Sequence, residues 1–253
     1  MIIDLADLNF DLCAIEFDRS QLEYPDSYIE EREKIWQQEK AVCGDNLWNG
    51  TVYTIKRFAL LLPHQVILSL GLCQYKDLIF KRICGGDNII KKYGRKFLVY
   101  HTAVLIIPVT TDGKYVFGVV AKNGFFSAGK IVLLGGALNY DERKINSFAD
   151  IRAFAAKELA EETRLNINPE RLKLASLNSY KFTYHFVFFL ILDLASTELN
   201  KISKIGELSN LVAFSQSELA ELSSHPASDY VKFYGNYLKY FGDRFKNKFE
   251  KNS

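Results

Sequence analysis

Residues 182–192 constrain the fold of this chain more than any other stretch. Seven of them, from Phe186 to Leu192, are apolar without a break. Side chains alternate between the two faces of a strand, so a run that is apolar at every position needs cover on both. Such a strand belongs in the middle of a mixed α/β sheet. The run is far short of the roughly 20 residues that a membrane helix needs. The same texture begins upstream, where residues 97–109 and 115–121 read as strands joined by a turn at Asp112-Gly113. Residues 130–134 read as another strand, closed by Gly135-Gly136, and a helical pattern follows from about Phe148 to Leu165. A short strand at 211–214 completes the set. Alternating strands with one long helix predict an α/β/α sandwich around a mixed sheet.

The N-terminal third is punctuated differently. Ser27 and Glu30 form an S-x-x-E pattern after Pro25, predicting a helix that runs through Trp36 to Cys43 and stops at Gly44. Asn49-Gly50 leads into an alternating strand at 51–56, and 66–70 reads as a strand closed by Gly71. A short helix over 75–83 stops at Gly85-Gly86. No long linker separates the two textures. The expected division is an α+β extension at 1–95, packed on a larger domain at 96–253 whose C-terminal helix spans 229–249. That helix carries Tyr230, Phe233, Tyr234, Tyr237, Leu238, Phe241, Phe245 and Phe249 at three- and four-residue spacing. Such a stripe reads first as a packing face and second as a peripheral membrane anchor.

Charge and motifs exclude several classes. Lys+Arg 32 against Asp+Glu 30 leaves a net charge of +2, without the basic excess of a nucleic-acid binder. Cys13, Cys43, Cys73 and Cys84 have neither zinc spacing nor the density of a disulfide framework. His64, His101, His185 and His225 are scattered, and P-loop, G-x-G-x-x-G and G-x-S-x-G patterns are absent. Acids near the N-terminus stand where a signal peptide carries bases, so a soluble, cytoplasmic protein is expected.

The informative helix is the long one. Glu158, Glu161 and Glu162 fall within an arc of about 100° at 100° per residue. Like charges at this spacing each cost about 0.2–0.5 kcal/mol on an exposed helix. Glu161 has Lys157 and Arg164 within one turn, but Glu158 and Glu162 have no Lys or Arg three or four positions away. An oxygen-only cluster suits a hard divalent cation, Mg²⁺ or Mn²⁺, of the kind that serves phosphate-anhydride chemistry. A solvated acidic face is the alternative reading of E-x-x-E-E by itself.

Gly136, five residues, Glu142, and later Lys157-Glu158-Leu159-Ala160-Glu161-Glu162 together resemble the Nudix box, G-x5-E-x7-R-E-U-x-E-E-x-G-U with U aliphatic. The glycines and the strand before them also sit where that family has them. Three positions depart from the pattern. Fourteen residues rather than seven separate Glu142 from Lys157, Lys157 stands for the arginine, and Arg164 stands for the glycine. The extra residues fit if 143–149 lengthen the loop and the helix starts afresh at Ser147, which pairs with Asp150 as a capping box. Lys157 keeps the charge of the arginine without its bidentate fork.

The resemblance covers roughly 97–222 and implies a Nudix-type pyrophosphohydrolase. By position, Glu158 and Glu162 would hold the metal and Glu161 would assist, one of the three orienting or deprotonating water. Gly135 and Gly136 would let backbone approach the phosphates, and Glu142 with Lys157 would brace the loop. The family often adds an acid from outside the box, and Glu207 is either that further ligand or a solvated loop glutamate. Lys122 could reach a phosphate, and Tyr180, Tyr184 or Phe125 could stack on a base, though each has an ordinary structural reading.

Residues 47–51, residues 70–77 and the lengthened box further resemble the nucleoside-diphosphate-sugar branch. That implies Mg²⁺-dependent hydrolysis of UDP-glucose or UDP-galactose to UMP and the sugar 1-phosphate. ADP-ribose, a dinucleoside polyphosphate or coenzyme A are alternative substrates. A catalytically silent nucleotide-binding module is the second alternative. The partner expected is a small-molecule nucleotide, with no nucleic acid and no membrane span.

Overall fold

The computed structural model describes residues 2–5, 13–18, 22–44, 47–61, 65–121, 128–201, 208–219, 221, 231–235 and 237–238. In chain order its elements are β1 (Ile2–Asp4), β2 (Ala14–Phe17), α1 (Asp26–Cys43), β3 (Thr51–Leu61), β4 (Gln65–Gln74), α2 (Tyr75–Cys84), α3 (Gly86–Tyr93), β5 (His101–Val109), β6 (Tyr115–Val120), β7 (Ile131–Val132), α4 (Phe148–Thr163), β8 (Lys173–Tyr180), β9 (Thr183–Ile191), β10 (Leu208–Phe214) and α5 (Gln216–Leu219). The class is mixed α/β, with a large mixed sheet, as the strand and helix patterns predict. No helix among the described residues is long and apolar enough to cross a membrane.

The described residues form two compact units. The first comprises residues 1–104, 136–154 and 174–187, the second 105–135, 155–173 and 188–253. In the first, the strands run in the order β1-β8-β9-β5-β3-β4-β2, with β2 parallel to β4 and β3 antiparallel to β4 over its full length. Its helices share one buried cluster of Tyr28, Phe80, Ile89, Phe97 and Leu98. A buried ion pair links α1 to α2, Arg32 Nη1 to Asp77 Oδ1 at 2.7 Å, and the guanidinium also lies 5.7 and 5.9 Å from the Tyr24 and Tyr28 rings. In the second unit, β6 pairs with β10 on one side and β7 on the other. Phe188, Phe189 and Leu190 of the apolar run are all buried there, which is why that run tolerates no polar residue.

Several local expectations meet the structure differently: the strand expected over 130–134 is β7 at Ile131–Val132, and those expected over 51–56 and 211–214 lengthen into β3 and β10. α1 begins at Asp26 with Pro25 as its N-cap, so Ser27 lies inside the first turn and makes no cap. β4 continues through Gly71 to Gln74. Gly71 does not end the strand but admits the Lys56 stem, which would lie 2.4 Å from a Cβ at that position. Gly85-Gly86 does end α2, as expected, and Gly85 (φ +80°) turns the chain straight into a further helix, α3. β5 begins only at His101, with Arg95–Phe97 forming a 3-10 turn. The capping of α2 was not anticipated: Gln74 and Asp77 cap one another reciprocally. Of the C-terminal helix expected over 229–249, residues 231–235 and 237–238 are described and helical. Val231, Tyr234, Tyr237 and Leu238 are buried there, so this part of the stripe packs inward. Phe241, Phe245 and Phe249 lie outside the described residues. The four cysteines form no disulfide with one another.

Candidate functional site

Helix α4 is specified locally at both ends. At its start, Ser147 and Asp150 cap reciprocally: the Ser147 N–H donates to Asp150 Oδ2 at 3.0 Å and the Asp150 N–H donates to Ser147 Oγ at 3.3 Å. Ile151, Phe154, Ala155 and Leu159 are fully buried and form its apolar stripe. At its end Arg164 takes φ +60° and its N–H donates to the Ala160 carbonyl at 2.7 Å. This is the left-handed stop that glycine usually provides. The chain therefore keeps that cap geometry with an arginine in the glycine position.

The lengthened loop ahead of the helix is pinned. Ile145 is buried, its N–H donates to Tyr53 Oη at 2.8 Å, and the same hydroxyl donates to the Arg143 carbonyl at 3.3 Å. Arg143 also lies 3.7 Å from Asp150. Earlier in this segment Asn139 organises a turn, accepting from the Asp141 N–H at 2.9 Å and donating to Glu142 Oε1 at 2.6 Å. Glu142 itself is exposed. The Gly136 carbonyl accepts from the Val104 N–H at 2.9 Å, holding the glycine segment to β5.

The acidic residues of α4 occupy three settings. Glu158 is half-buried and Glu161 exposed, and an oxygen of one lies within 4.8 Å of an oxygen of the other. Two full charges at that separation repel by about 1 kcal/mol in water and about 3–4 kcal/mol at an effective dielectric near 20. Lys157 offsets part of this, its Nζ 2.8 Å from Glu161 Oε1. Glu162 turns to the glycine pair, and its Oε2 accepts the Gly135 N–H at 2.8 Å. Gly135 has φ +121°, where an L side chain would be strained, so the residue type is required for the amide to point at the carboxylate. Sequence reasoning placed Gly135 near phosphate and Glu162 on a metal; the direct bond between them had no sequence signature.

The donor chemistry suits a hard divalent ion: Glu158 and Glu161 offer neighbouring carboxylates, all oxygen and partly open to solvent, and Glu162, on the next position of the helix, is bonded to the Gly135 amide. Of the remaining candidates, Tyr180 and Tyr184 are half-buried at the two sides of the β8–β9 turn. Glu207, Lys122 and Phe125 lie outside the described residues. Sequence reasoning missed a second group of titratable side chains altogether. Lys81, His101 and His185, separated by 20 and 84 positions, are grouped in the first unit, Lys81 and His185 buried and His101 half-buried. No local spacing could have joined them.

No family model matches the chain, and no curated protein matches it. Among solved structures, a MutT protein from Methanosarcina mazei Go1 aligns at 18% identity and a TM-score of 0.40, over 59% of this chain and 94% of that one. A Nudix hydrolase from Alicyclobacillus acidocaldarius aligns at 14% identity and 0.38, over 51% and 86%. A bifunctional NMN adenylyltransferase/ADP ribose pyrophosphatase from Francisella tularensis, complexed with AMP and a Mn ion, aligns at 17% identity and 0.35, over 54% and 42%.

Proposed function

We propose that this chain is a Nudix-type hydrolase that cleaves a phosphoric anhydride bond in a nucleoside diphosphate-linked substrate, with UDP-glucose or UDP-galactose as the substrate to test first. The observation that carries the reading is the arrangement around one turn of α4. Glu158 and Glu161 bring carboxylate oxygens within 4.8 Å of each other, and Glu162 receives the Gly135 amide. A solvated acidic face would not need a glycine at positive φ to aim its amide at one of the carboxylates.

In this reading Glu158, Glu161 and Glu162 hold a divalent cation, and Glu207 is a further candidate ligand. Bound there, Mg²⁺ or Mn²⁺ would neutralise phosphate charge and acidify a water. Glu158, half-buried beside Glu161, is the carboxylate suited to orient the attacking water and take its proton. Gly135 holds Glu162 in place through its amide, and Lys157 neutralises Glu161. Glu142 and Gly136 belong to the loop that carries the glycines. Residues 96–253 would form the hydrolase domain and 1–95 its extension, in a soluble, cytoplasmic protein.

The test is incubation with Mg²⁺ or Mn²⁺ and a panel of UDP-glucose, UDP-galactose, ADP-ribose, diadenosine polyphosphates and coenzyme A, with products resolved by chromatography. Release of UMP and sugar 1-phosphate, lowered on the order of 10²–10⁴-fold in Glu158→Gln, is the expected result. Turnover of another panel member keeps the chemistry and replaces the substrate. Saturable nucleotide binding with no turnover of any member makes the chain a silent binding module and overturns the proposal.

A further inference from the structure

The first unit contains a buried basic network that the proposed hydrolysis does not use. Lys81, on α2, is 6% exposed. Its Nζ reaches three partners: the Val99 carbonyl at 3.1 Å, the Phe182 carbonyl at 2.9 Å and His101 Nδ1 at 2.8 Å. None of the three is a carboxylate. Thr183 Oγ1 lies beside the same ring, 3.4 Å from His101 Nδ1 and 3.3 Å from Nε2. The titratable groups around Lys81 are Cys73 on β4, His101 on β5 and His185 on β9. One turn back on α2, Asp77 is engaged by Arg32, and Lys181 in the β8–β9 turn is exposed.

This geometry accommodates two protonation states. An ammonium has three protons to donate, and the two carbonyls and a lone pair on Nδ1 take all of them. The imidazole proton is then on Nε2. A neutral amine instead donates to the two carbonyls and accepts from Nδ1–H, the imidazole proton having moved to Nδ1. The two states differ by one proton and one imidazole tautomer, and the charged one is held where none of the amine's three partners is a carboxylate.

The Phe182 carbonyl gives the network something to act on. Lys181 and Phe182 form the two-residue β8–β9 turn with φ +45° and +63°, left-handed at both positions without a glycine or asparagine. Such turns favour Asn-Gly, so this one is held by its contacts rather than by its residues. The Lys81 bond to Phe182 O is one of these contacts. Phe182 and Tyr184 also pack on Tyr100, ring centroids 5.9 and 5.8 Å apart.

We propose that Lys81, His101 and the Phe182 carbonyl form a proton-responsive latch, in which uptake of one proton by the Lys81–His101 pair loosens the β8–β9 turn. A charged amine without a carboxylate partner is disfavoured where it is buried and regains full hydration when the turn opens. Burial accordingly pushes the Lys81 amine down to about 7, and burial followed by the Lys81 charge holds His101 and His185 below the usual imidazole range. The closed state binds fewer protons than the open state above pH 7. Opening therefore becomes about tenfold easier for each pH unit lost between 8.5 and 7, and levels off below the amine's closed-state value.

Hydrogen–deuterium exchange of the protein between pH 7 and 8.5 tests this. Intrinsic amide exchange rises about tenfold per pH unit, and the latch predicts that turn opening falls by the same factor. The uncorrected rate of a peptide spanning 179–185 should therefore stay nearly level, while β6 amides rise about tenfold per unit. In Lys81→Met the turn peptide should regain the tenfold rise. A parent turn peptide that rises with β6 overturns the latch, as does a β6 signal that stays level with it, which would make the opening global. A Lys81→Met protein that folds and keeps the level profile also overturns it. Should that variant not fold, the comparison of turn and β6 in the parent decides.

Discussion

Glu162 can be interrogated through stability before any substrate is known. Replacing it with alanine removes the acceptor of the Gly135 N–H, now 2.8 Å from Oε2. Hydrogen bonds to charged groups contribute about 1.5–3 kcal/mol, and partial exposure of Glu162 puts this one at the low end. Removing the like charge at i+4 from Glu158 returns about 0.2–0.5 kcal/mol, and the higher helix propensity of alanine a few tenths more. Glu162→Ala should then be less stable by about 1 kcal/mol. Glu162→Gln keeps an oxygen for the amide and loses only the charge, so its loss should stay within about 0.5 kcal/mol. For a chain of this length 1 kcal/mol corresponds to about 2–4 °C in Tm. Urea unfolding in chelator, with thermal melts beside it, measures both. Two variants equal to the parent, or both more stable, would refute a Gly135–Glu162 bond in solution. With Mg²⁺ added, the parent should gain stability by mass action and both variants should gain less.

Two further substitutions test the cap and the loop. Arg164→Gly should stabilise the protein by about 0.5–1 kcal/mol, because left-handed φ at Arg164 costs about 1–2 kcal/mol and the added chain entropy of glycine returns part of it; a destabilised variant in urea unfolding would contradict this. Tyr53→Phe removes the acceptor of the Ile145 N–H and should cost about 1–3 kcal/mol, with faster hydrogen exchange across 143–147. Unchanged exchange there would show that the hydroxyl does not pin the loop.

What the sequence disclosed was local, and what it hid came from contacts across the chain. The start of α4 was legible because Ser147 and Asp150 meet within one turn. The hairpin at Asp112-Gly113 was legible for the same reason, Gly113 having φ +76° and its N–H reaching the Thr110 carbonyl. At the start of α1 the S-x-x-E pattern misleads, because it is equally available one residue inside a helix that Pro25 already begins. Gly71 looks like a strand end because glycine weakens strands, but its place in β4 is set by Lys56, fifteen positions earlier. In the candidate site, the grouping of Glu158, Glu161 and Glu162 followed from helical periodicity. The Gly135–Glu162 bond joins residues 27 positions apart, and the Lys81 network joins α2 to β5 and the β8–β9 turn. No spacing rule reaches across such separations.

The central claim is that the α4 carboxylates hold the divalent ion on which hydrolysis depends. The most direct measurement is a Mn²⁺ titration followed by electron paramagnetic resonance, on the parent and on Glu158→Gln and Glu162→Gln, each shown folded by its unfolding curve. Saturable Mn²⁺ binding in the parent that weakens by about tenfold or more in both variants is the result predicted. Binding of equal strength in all three proteins would contradict the account.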